Sequence, residues 1–279
     1  MKKIIYSNMM VNPLNKKHLQ KIPSLKAQAI TLNLEDAIAK SRKKEALYNI
    51  IEFLEQNNNL PLQIVIRVNP LDDGGKEEIK ILNQYNFDAI RLSKPLSKKQ
   101  IKKALKLIKD DKELHISMET KEAFYNLRKW KIDQRFTTAY LGILDLLNSL
   151  GLPQSLLSLN NPTIEYILAK FLIDAKSVNI FPVGFMFQDY KDLDTFEKWC
   201  KKEKMMGFQS KACLGPAQVE IANKIFGICE EEIIKAKEII KSFEQNSQKG
   251  INGFMHEKYG FIDEPIYKDA LLVIKNTLL

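Results

Sequence analysis

The chain is expected to fold as an α/β protein, a (β/α)8 TIM barrel with a C-terminal helical extension. Three observations point there. Short apolar, β-branched runs alternate with amphipathic stretches along most of the 279 residues. Eight such runs can be counted, the strand number of that barrel, and a single barrel of roughly 250 residues fits the length. An open doubly wound sheet is the runner-up, because it shows the same alternation.

The expected strands, in order, are KIIYS (3–7), AITLNLE (29–35), QIVIRVN (63–69), AIRLSK (89–94), LHISME (114–119), TAYLGIL (138–144), VNIFPVG (178–184) and KACLGP (211–216). Their short apolar character is that of parallel strands covered on both faces. Between them RKKEALYNIIEFLEQ, KEEIKILNQ, KKQIKKALKLIK, TKEAFYNLRKW and TIEYILAKFLIDAK carry apolar residues at helical spacing. After the last strand, PAQVEIANKIF opens on Pro216, a residue suited to a first helical turn. A further amphipathic helix is expected at 230–245, followed by a tail with Gly and Pro turn signals and a final helix. The expected division is a barrel over 1–228 and a helical arm over 229–279 that packs on a neighbouring subunit.

Composition narrows the function. A 45% hydrophobic, 28% charged chain is neither disordered nor collagenous. Cys200, Cys213 and Cys229 form no CxxC pair and are odd in number, so a disulfide framework is not expected and a reducing cytoplasm is. The apolar run near the start is too short for a signal-peptide core, and no stretch approaches the ~20 residues of a membrane span. The net charge of +9 is spread over helix-like segments rather than gathered in a patch. That distribution speaks against nucleic acid and for steering of anionic small molecules or an acidic carrier protein.

In a barrel of this kind the chemistry sits where strands end. The expected strand ends deliver Glu35 and Asp36, Arg67 and Asn69, Lys94, Glu119 and Thr120, Asp145, and Gly215 with Pro216. Taken singly, Asp36, Thr120 and Asp145 suit helix caps, and Arg67 and Lys94 suit neighbours of carboxylates. Together, five ionisable ends out of eight exceed what a structural barrel needs. His18, His115 and His256 show no metal or triad spacing, and no GxxxxGK[ST] or GxGxxG loop is present. Oxygen chemistry remains. Glu119 and Asp145, from consecutive strands, are candidate ligands of one hard cation such as Mg²⁺, with Mn²⁺ as the alternative. The cation and Arg67 would suit a substrate carrying a carboxylate beside a second oxygen.

The runs LNLEDAIAKSRKKEA, VIRVNP, DAIRLSK, ISMETKEA, LGILDLLNSLG and SKACLGPAQVEIANKIF, in this order, resemble the citrate lyase beta-subunit-like branch of the HpcH/HpaI aldolase superfamily. The family patterns are LDLEDAV, VRVN, LPK, IET, G-x-x-D-L and I-H-P-x-Q, and GFIDEP resembles its closing M-I-D motif. The resemblance implies a TIM barrel, usually trimeric, that cleaves or forms a C–C bond between a 2-oxo acid and an acyl thioester with Mg²⁺. It implies Glu119 and Asp145 as metal ligands and Arg67 as the group facing the substrate oxygen that gains charge. Glu35 and Asp36 would order solvent around the ion, with Lys43 paired to them. Lys94, Gly215 and Pro216 would touch substrate, and Asp263 would act as an acid/base across the subunit boundary. The implied partners are an acyl-CoA or acyl-carrier thioester and a 2-oxo acid of the malyl, citramalyl or citryl type.

Several positions depart from the family. The V-P-G turn after the first strand is absent, the His of I-H-P-x-Q is Gly215, an Asp after the seventh strand is Gly184, and Leu144 and Leu47 replace an acid and an arginine. These departures keep two other readings open. One is a pyruvate-type class II aldolase without a thioester. The other is a catalytically silent barrel that binds rather than reacts.

Overall fold

The structure is a computed structural model and describes residues 5–277. It divides into two compact units, one ending at Phe226 and one beginning at Gly227.

In the first unit eight parallel strands form one sheet: β1 (Ser7–Val11), β2 (Ala29–Asn33), β3 (Gln63–Val68), β4 (Ala89–Leu92), β5 (Glu113–Met118), β6 (Phe136–Leu141), β7 (Phe181–Val183) and β8 (Lys211–Cys213). Their order is β7-β6-β5-β4-β3-β2-β1-β8. A bridge between Gly184 and Lys211 brings the two edges together, with Gly184 N donating to Ser210 O at 2.9 Å and Ala212 N to Gly184 O at 3.2 Å. The sheet thus closes into the expected barrel rather than staying open. The helices that follow the strands are α1 (Lys16–Lys21), α2 (Lys43–Gln56), α3 (Lys76–Leu82), α4 (Lys98–Leu107), α5 (Lys121–Trp130), α6 (Ile143–Ser149), α7 (Pro162–Ser177), α8 (Leu193–Met206) and α9 (Pro216–Phe226).

The first strand differs from expectation. It is SNMMV, not KIIYS, of which residues 3 and 4 lie outside the described residues. SNMMV has modest β propensity, but it is paired on both sides, Asn8 with Ala29 and Ser7 with Lys211. Sheet pairing outweighs intrinsic preference.

Alternation along the strands sorts the side chains. Ile64, Ile66 and Val68 on β3, and Ile116 and Met118 on β5, join the main apolar layer with Leu105, Phe124 and Leu127 of the helices. The other parity carries Asn8, Thr31, Arg67, Arg91, Ser117 and Tyr140, so the barrel interior is polar and bonded. Asn8 Nδ2 donates to the Tyr140 hydroxyl at 3.0 Å, and Thr31 Oγ1 donates to Asn8 Oδ1 at 2.7 Å. A period of two in strands makes this sorting automatic once the sheet is closed.

Outside the barrel wall lies a fully buried ion pair. Lys211 Nζ meets Glu203 Oε1 at 2.6 Å, both side chains 0% exposed, and sits 3.6 Å from the centre of the Phe185 ring. Burial raises the Glu203 carboxyl to about 7, while Lys211 pulls it down. A Cβ at position 184 would fall 2.1 Å from Glu203 Oε2, which explains Gly184: no aspartate fits without displacing this pair. Breaking the pair strands a buried charge. Lys211→Met alone is expected to cost on the order of 3–5 kcal/mol, and adding Glu203→Leu to recover most of it, measured by urea unfolding.

The second unit holds α10 (Glu230–Ser247), a hairpin of β9 (Gly253–His256) and β10 (Gly260–Asp263), and α11 (Glu264–Thr277). The hairpin was not expected in an arm read as helical. His256 pairs with Gly260 across a three-residue loop, and Gly260 takes φ +73, the left-handed position such loops reserve for glycine. Ala236, Ile239 and Phe243 of α10 pack on Ile262 and Ala270, with the Phe243 and Tyr267 rings stacked at 4.4 Å.

Candidate active site

Strand β2 ends at Asn33, and the chain turns so that Glu35 is almost fully buried. The turn is held locally: Asn33 Oδ1 accepts from the Glu35 backbone N–H at 3.0 Å and from Arg67 Nε at 2.7 Å. Arg67 Nη2 then lies 3.2 Å from Glu35 Oε2, an oxygen that is buried without a hydrogen bond. Across the site, Lys94 Nζ meets Glu35 Oε1 at 2.7 Å and Asp36 Oδ2 at 2.6 Å. Burial works against the Lys94 ammonium, but the bonds to Asp36 and Glu35 outweigh it and hold its proton well above the usual lysine range. For Asp36, too, burial opposes the charge, and Lys94 wins, holding the carboxyl below its ordinary value.

Lys94 does a second job through its backbone. It adopts φ +45, a conformation that costs a non-glycine residue of order 1 kcal/mol or more and tends to be kept where it serves a site. That turn points its N–H at Glu119 Oε1, 2.8 Å away, while its side chain reaches the Glu35–Asp36 pair. Lys43 does not take the role expected of it: it bonds Asn69 Oδ1, and Lys94 is the lysine that pairs with Glu35 and Asp36.

Glu119, just past β5, is almost fully buried. Burial pushes its carboxyl up to about 7, opposed by Arg67, Arg91 and the Lys94 N–H, and reinforced by Glu35. Asp145 stands not at a strand end but in the first turn of α6, after Gly142 as the residue before the helix, where a carboxylate complements the helix dipole. Glu119 and Asp145 line one cavity with Arg67, Arg91, Tyr140 and Gly142. The glycine makes room: a Cβ at 142 would lie 2.7 Å from Glu119 Cβ and 2.8 Å from its Oε2. Gly142→Ala should therefore push the Glu119 carboxylate aside and weaken divalent-cation binding about 10–100-fold, as loss of ligand support does elsewhere. Calorimetric titration with Mn²⁺ checks this.

Among the described residues no group of three or more His, Cys, Asp or Glu side chains is placed to hold a metal. The donor set is two carboxylates on a shared cavity, the sparse pattern typical of Mg²⁺, which keeps positions for water and substrate. Glu119 Oε2, without a hydrogen bond among the described residues and given its space by Gly142, fits that role.

The remaining expected residues fall as follows. Thr120 is a helix cap, accepting from Ala123 N at 3.2 Å and donating to Pro95 O at 2.7 Å. Gly215 precedes α9, whose first residue is Pro216, and a Cβ at 215 would meet nothing within 4 Å; nothing in the structure requires glycine there. Gln218 braces this turn, accepting from Leu214 N at 2.7 Å. Asp263 belongs to the second unit, where Oδ1 accepts from Ile266 N at 3.2 Å at the start of α11.

Two participants escaped the sequence reading. Arg91 and Tyr140 lie inside strands rather than at their ends, and both line the cavity. The signal available in the sequence is alternation: Arg91 stands between Ile90 and Leu92 as Arg67 stands between Ile66 and Val68, and the structure makes the two arginines register partners.

An eight-stranded parallel barrel with two carboxylates and two guanidinium groups lining one cavity defines the class as a TIM-barrel protein with a charged pocket. The chain belongs to the HpcH/HpaI aldolase/citrate lyase family, whose sequence profile matches residues 7–216. It is 28% identical over 236 residues to a (3S)-malyl-CoA thioesterase of Cereibacter sphaeroides, covering 83% of this chain and 80% of that protein. It is 24% identical to the mitochondrial citramalyl-CoA lyase of Homo sapiens over 92% of this chain and 80% of that one. In fold it resembles CitE from Mycobacterium tuberculosis, solved with magnesium, acetoacetate and coenzyme A, at a TM-score of 0.78, 16% identity and 99% coverage of both chains. No helix among the described residues is long and apolar enough to cross a membrane.

Proposed function

We propose that this protein is a Mg²⁺-dependent carbon–carbon lyase that splits a hydroxyacyl thioester of the malyl, citramalyl or citryl type into a 2-oxo acid and an acyl thioester, or runs the reverse. The observation that carries the reading is the convergence of Glu119, Asp145 and Arg67 on one cavity. Relatives named as a citramalyl-CoA lyase and a malyl-CoA thioesterase support the substrate class.

Glu119 and Asp145 would hold the ion, which when bound supplies Lewis acidity and a template for the acid half of the substrate. The chain's own groups do the rest. Cleavage removes the proton of the substrate hydroxyl, turns that carbon into a carbonyl and sends the electron pair of the C–C bond to the thioester oxygen, and the enolate so formed then takes up a proton at carbon to give the acyl thioester. Arg67 is held by Asn33 and Glu35 in a fixed orientation, so it meets the developing negative charge without reorganising. Lys94 fixes Glu35 and Asp36 and, through its N–H, one oxygen of Glu119, leaving the other oxygen for the ion. Asp263 is the proposed acid/base, contributed by the C-terminal unit across a subunit boundary in a homotrimer.

The thioesterase relative favours one second reading, in which the same site hydrolyses the thioester. One assay separates the two. Malyl-, citramalyl- and citryl-CoA are incubated with Mg²⁺, and both released 2-oxo acid and released thiol are read. The lyase gives 2-oxo acid without thiol, the hydrolase gives thiol without 2-oxo acid, and turnover unaffected by EDTA would overturn the metal-dependent reading.

A further inference from the structure

Arg91 sits in β4 with its side chain inside the barrel, only 5% exposed. Its Nε donates to Ser117 Oγ at 2.8 Å, and its guanidinium carbon lies 4.0 Å from the centre of the Tyr140 ring. Those contacts occupy one N–H and one face of the group. Among the described residues no carboxylate comes within the 4.0 Å of an ion pair, in contrast to Arg67, which has Glu35 at 3.2 Å. Burial, with the positive charge of Arg67 beside it, brings Arg91 down to about 10, so it remains a cation. A buried cation facing a cavity and lacking an anion is costly unless a ligand supplies one.

Its depth says which part of a ligand that would be. Ser117, which Arg91 bonds, lies in β5, and Glu119 follows it by two residues, just past the end of the strand. Two residues of strand span roughly 6.6 Å, so the bond that Arg91 makes to Ser117 lies about one layer of side chains below position 119. Arg67 and Arg91 are register partners on adjacent strands; one is answered from within the protein and the other is not.

We propose that Arg91 is a specificity-determining residue that receives a second anionic group of the acid half of the substrate, one layer deeper than the carboxylate beside Glu119 and Asp145. The preferred 2-oxo acid is then dicarboxylic. Arg91 binds it by its two Nη groups, a fork that matches a carboxylate, while Tyr140 covers one face of the guanidinium. This rests on the lyase reading of the same cavity and sharpens it.

The test compares oxaloacetate with 2-oxobutyrate, two four-carbon 2-oxo acids that differ in the distal charge, by calorimetry on the Mg²⁺-loaded protein. The wild type should bind oxaloacetate at least tenfold more tightly. Arg91→Met should bring the ratio close to one while leaving affinity for 2-oxobutyrate and for Mg²⁺ alone unchanged. Arg91→Lys, which keeps the charge on a side chain one atom shorter and without the fork, should keep part of the preference and guards against a fold defect in the methionine variant. Equal affinities in the wild type, or a loss in Arg91→Met that is the same for both acids, would overturn the assignment. Binding of neither acid would instead sink the lyase reading itself, and this inference with it.

Discussion

Glu119→Gln is expected to abolish catalysis, lowering kcat/KM by about 10³-fold or more, while leaving the barrel folded. The two halves of that expectation have different causes. The amide oxygen of glutamine can still accept the Lys94 N–H that now reaches Glu119 Oε1 at 2.8 Å, and the side chain has the same shape beside Gly142. Stability should therefore stay within about 1 kcal/mol, a change of roughly 2–4 °C in Tm for a barrel of this size. What disappears is an anionic oxygen on the cavity that Glu119 shares with Asp145, half of the proposed cation site, and with it several kcal/mol of transition-state stabilisation, each 1.4 kcal/mol being tenfold in rate. Activity assays, Mn²⁺ titration and thermal unfolding on one preparation check all three points. Unchanged Mn²⁺ affinity would show that the cation is held elsewhere.

Arg67→Ala is the second large effect, expected to cut kcat by roughly 10²–10³-fold with a smaller change in KM, the penalty for removing a preorganised donor to a developing oxyanion. It should also destabilise, but by less than the roughly 3–5 kcal/mol of a fully orphaned buried charge, because Glu35 keeps Lys94 at 2.7 Å. Arg67→Lys should restore little. A lysine carries one compact ammonium and cannot hold Asn33 and Glu35 in the two directions that the guanidinium now does. A kcat equal to wild type in Arg67→Lys would show that charge alone, not geometry, is what the position supplies.

Much of the barrel is legible along the chain because its strands are covered on both faces and its helices on one, and both conditions write periodic apolar patterns. QIVIRV and the ISM of β5 show how. The apolar residues of one parity, Ile64, Ile66 and Val68, or Ile116 and Met118, seal the wall against the helices. The acids that follow β2 and β5 mark the rim, while Arg67 lies one residue inside the end of β3. Where the pattern misled, pairing had overruled propensity. SNMMV became the first strand because Ala29 and Lys211 flank it, and MHEKYGF became a hairpin because glycine at 260 could take φ +73. The expected strand TAYLGIL stops instead at Leu141, and Asp145 lies in the first turn of α6, because ILDLL reads equally well as strand or buried helix.

The candidate site divides along the same line. Glu35, Asp36, Arg67, Lys94, Glu119 and Asp145 could be named from order and residue type. Their partnerships could not. That Lys94 rather than Lys43 grips the acids depends on a left-handed turn at residue 94, and Arg91 enters the cavity because register sets it beside Arg67.

The linear order of residues alone was enough for the fold class, the family resemblance and the kinds of charged group gathered at one rim, since hydrophobic periodicity and short motifs are local properties. Closure of the sheet decided everything that depends on who faces whom: Gly142 yielding its space to Glu119, Gly184 to Glu203, and an arginine buried mid-strand with no carboxylate at ion-pair distance among the described residues. Such facts arise between segments far apart in sequence, where a side chain's meaning is set by distance and burial rather than by its neighbours along the chain.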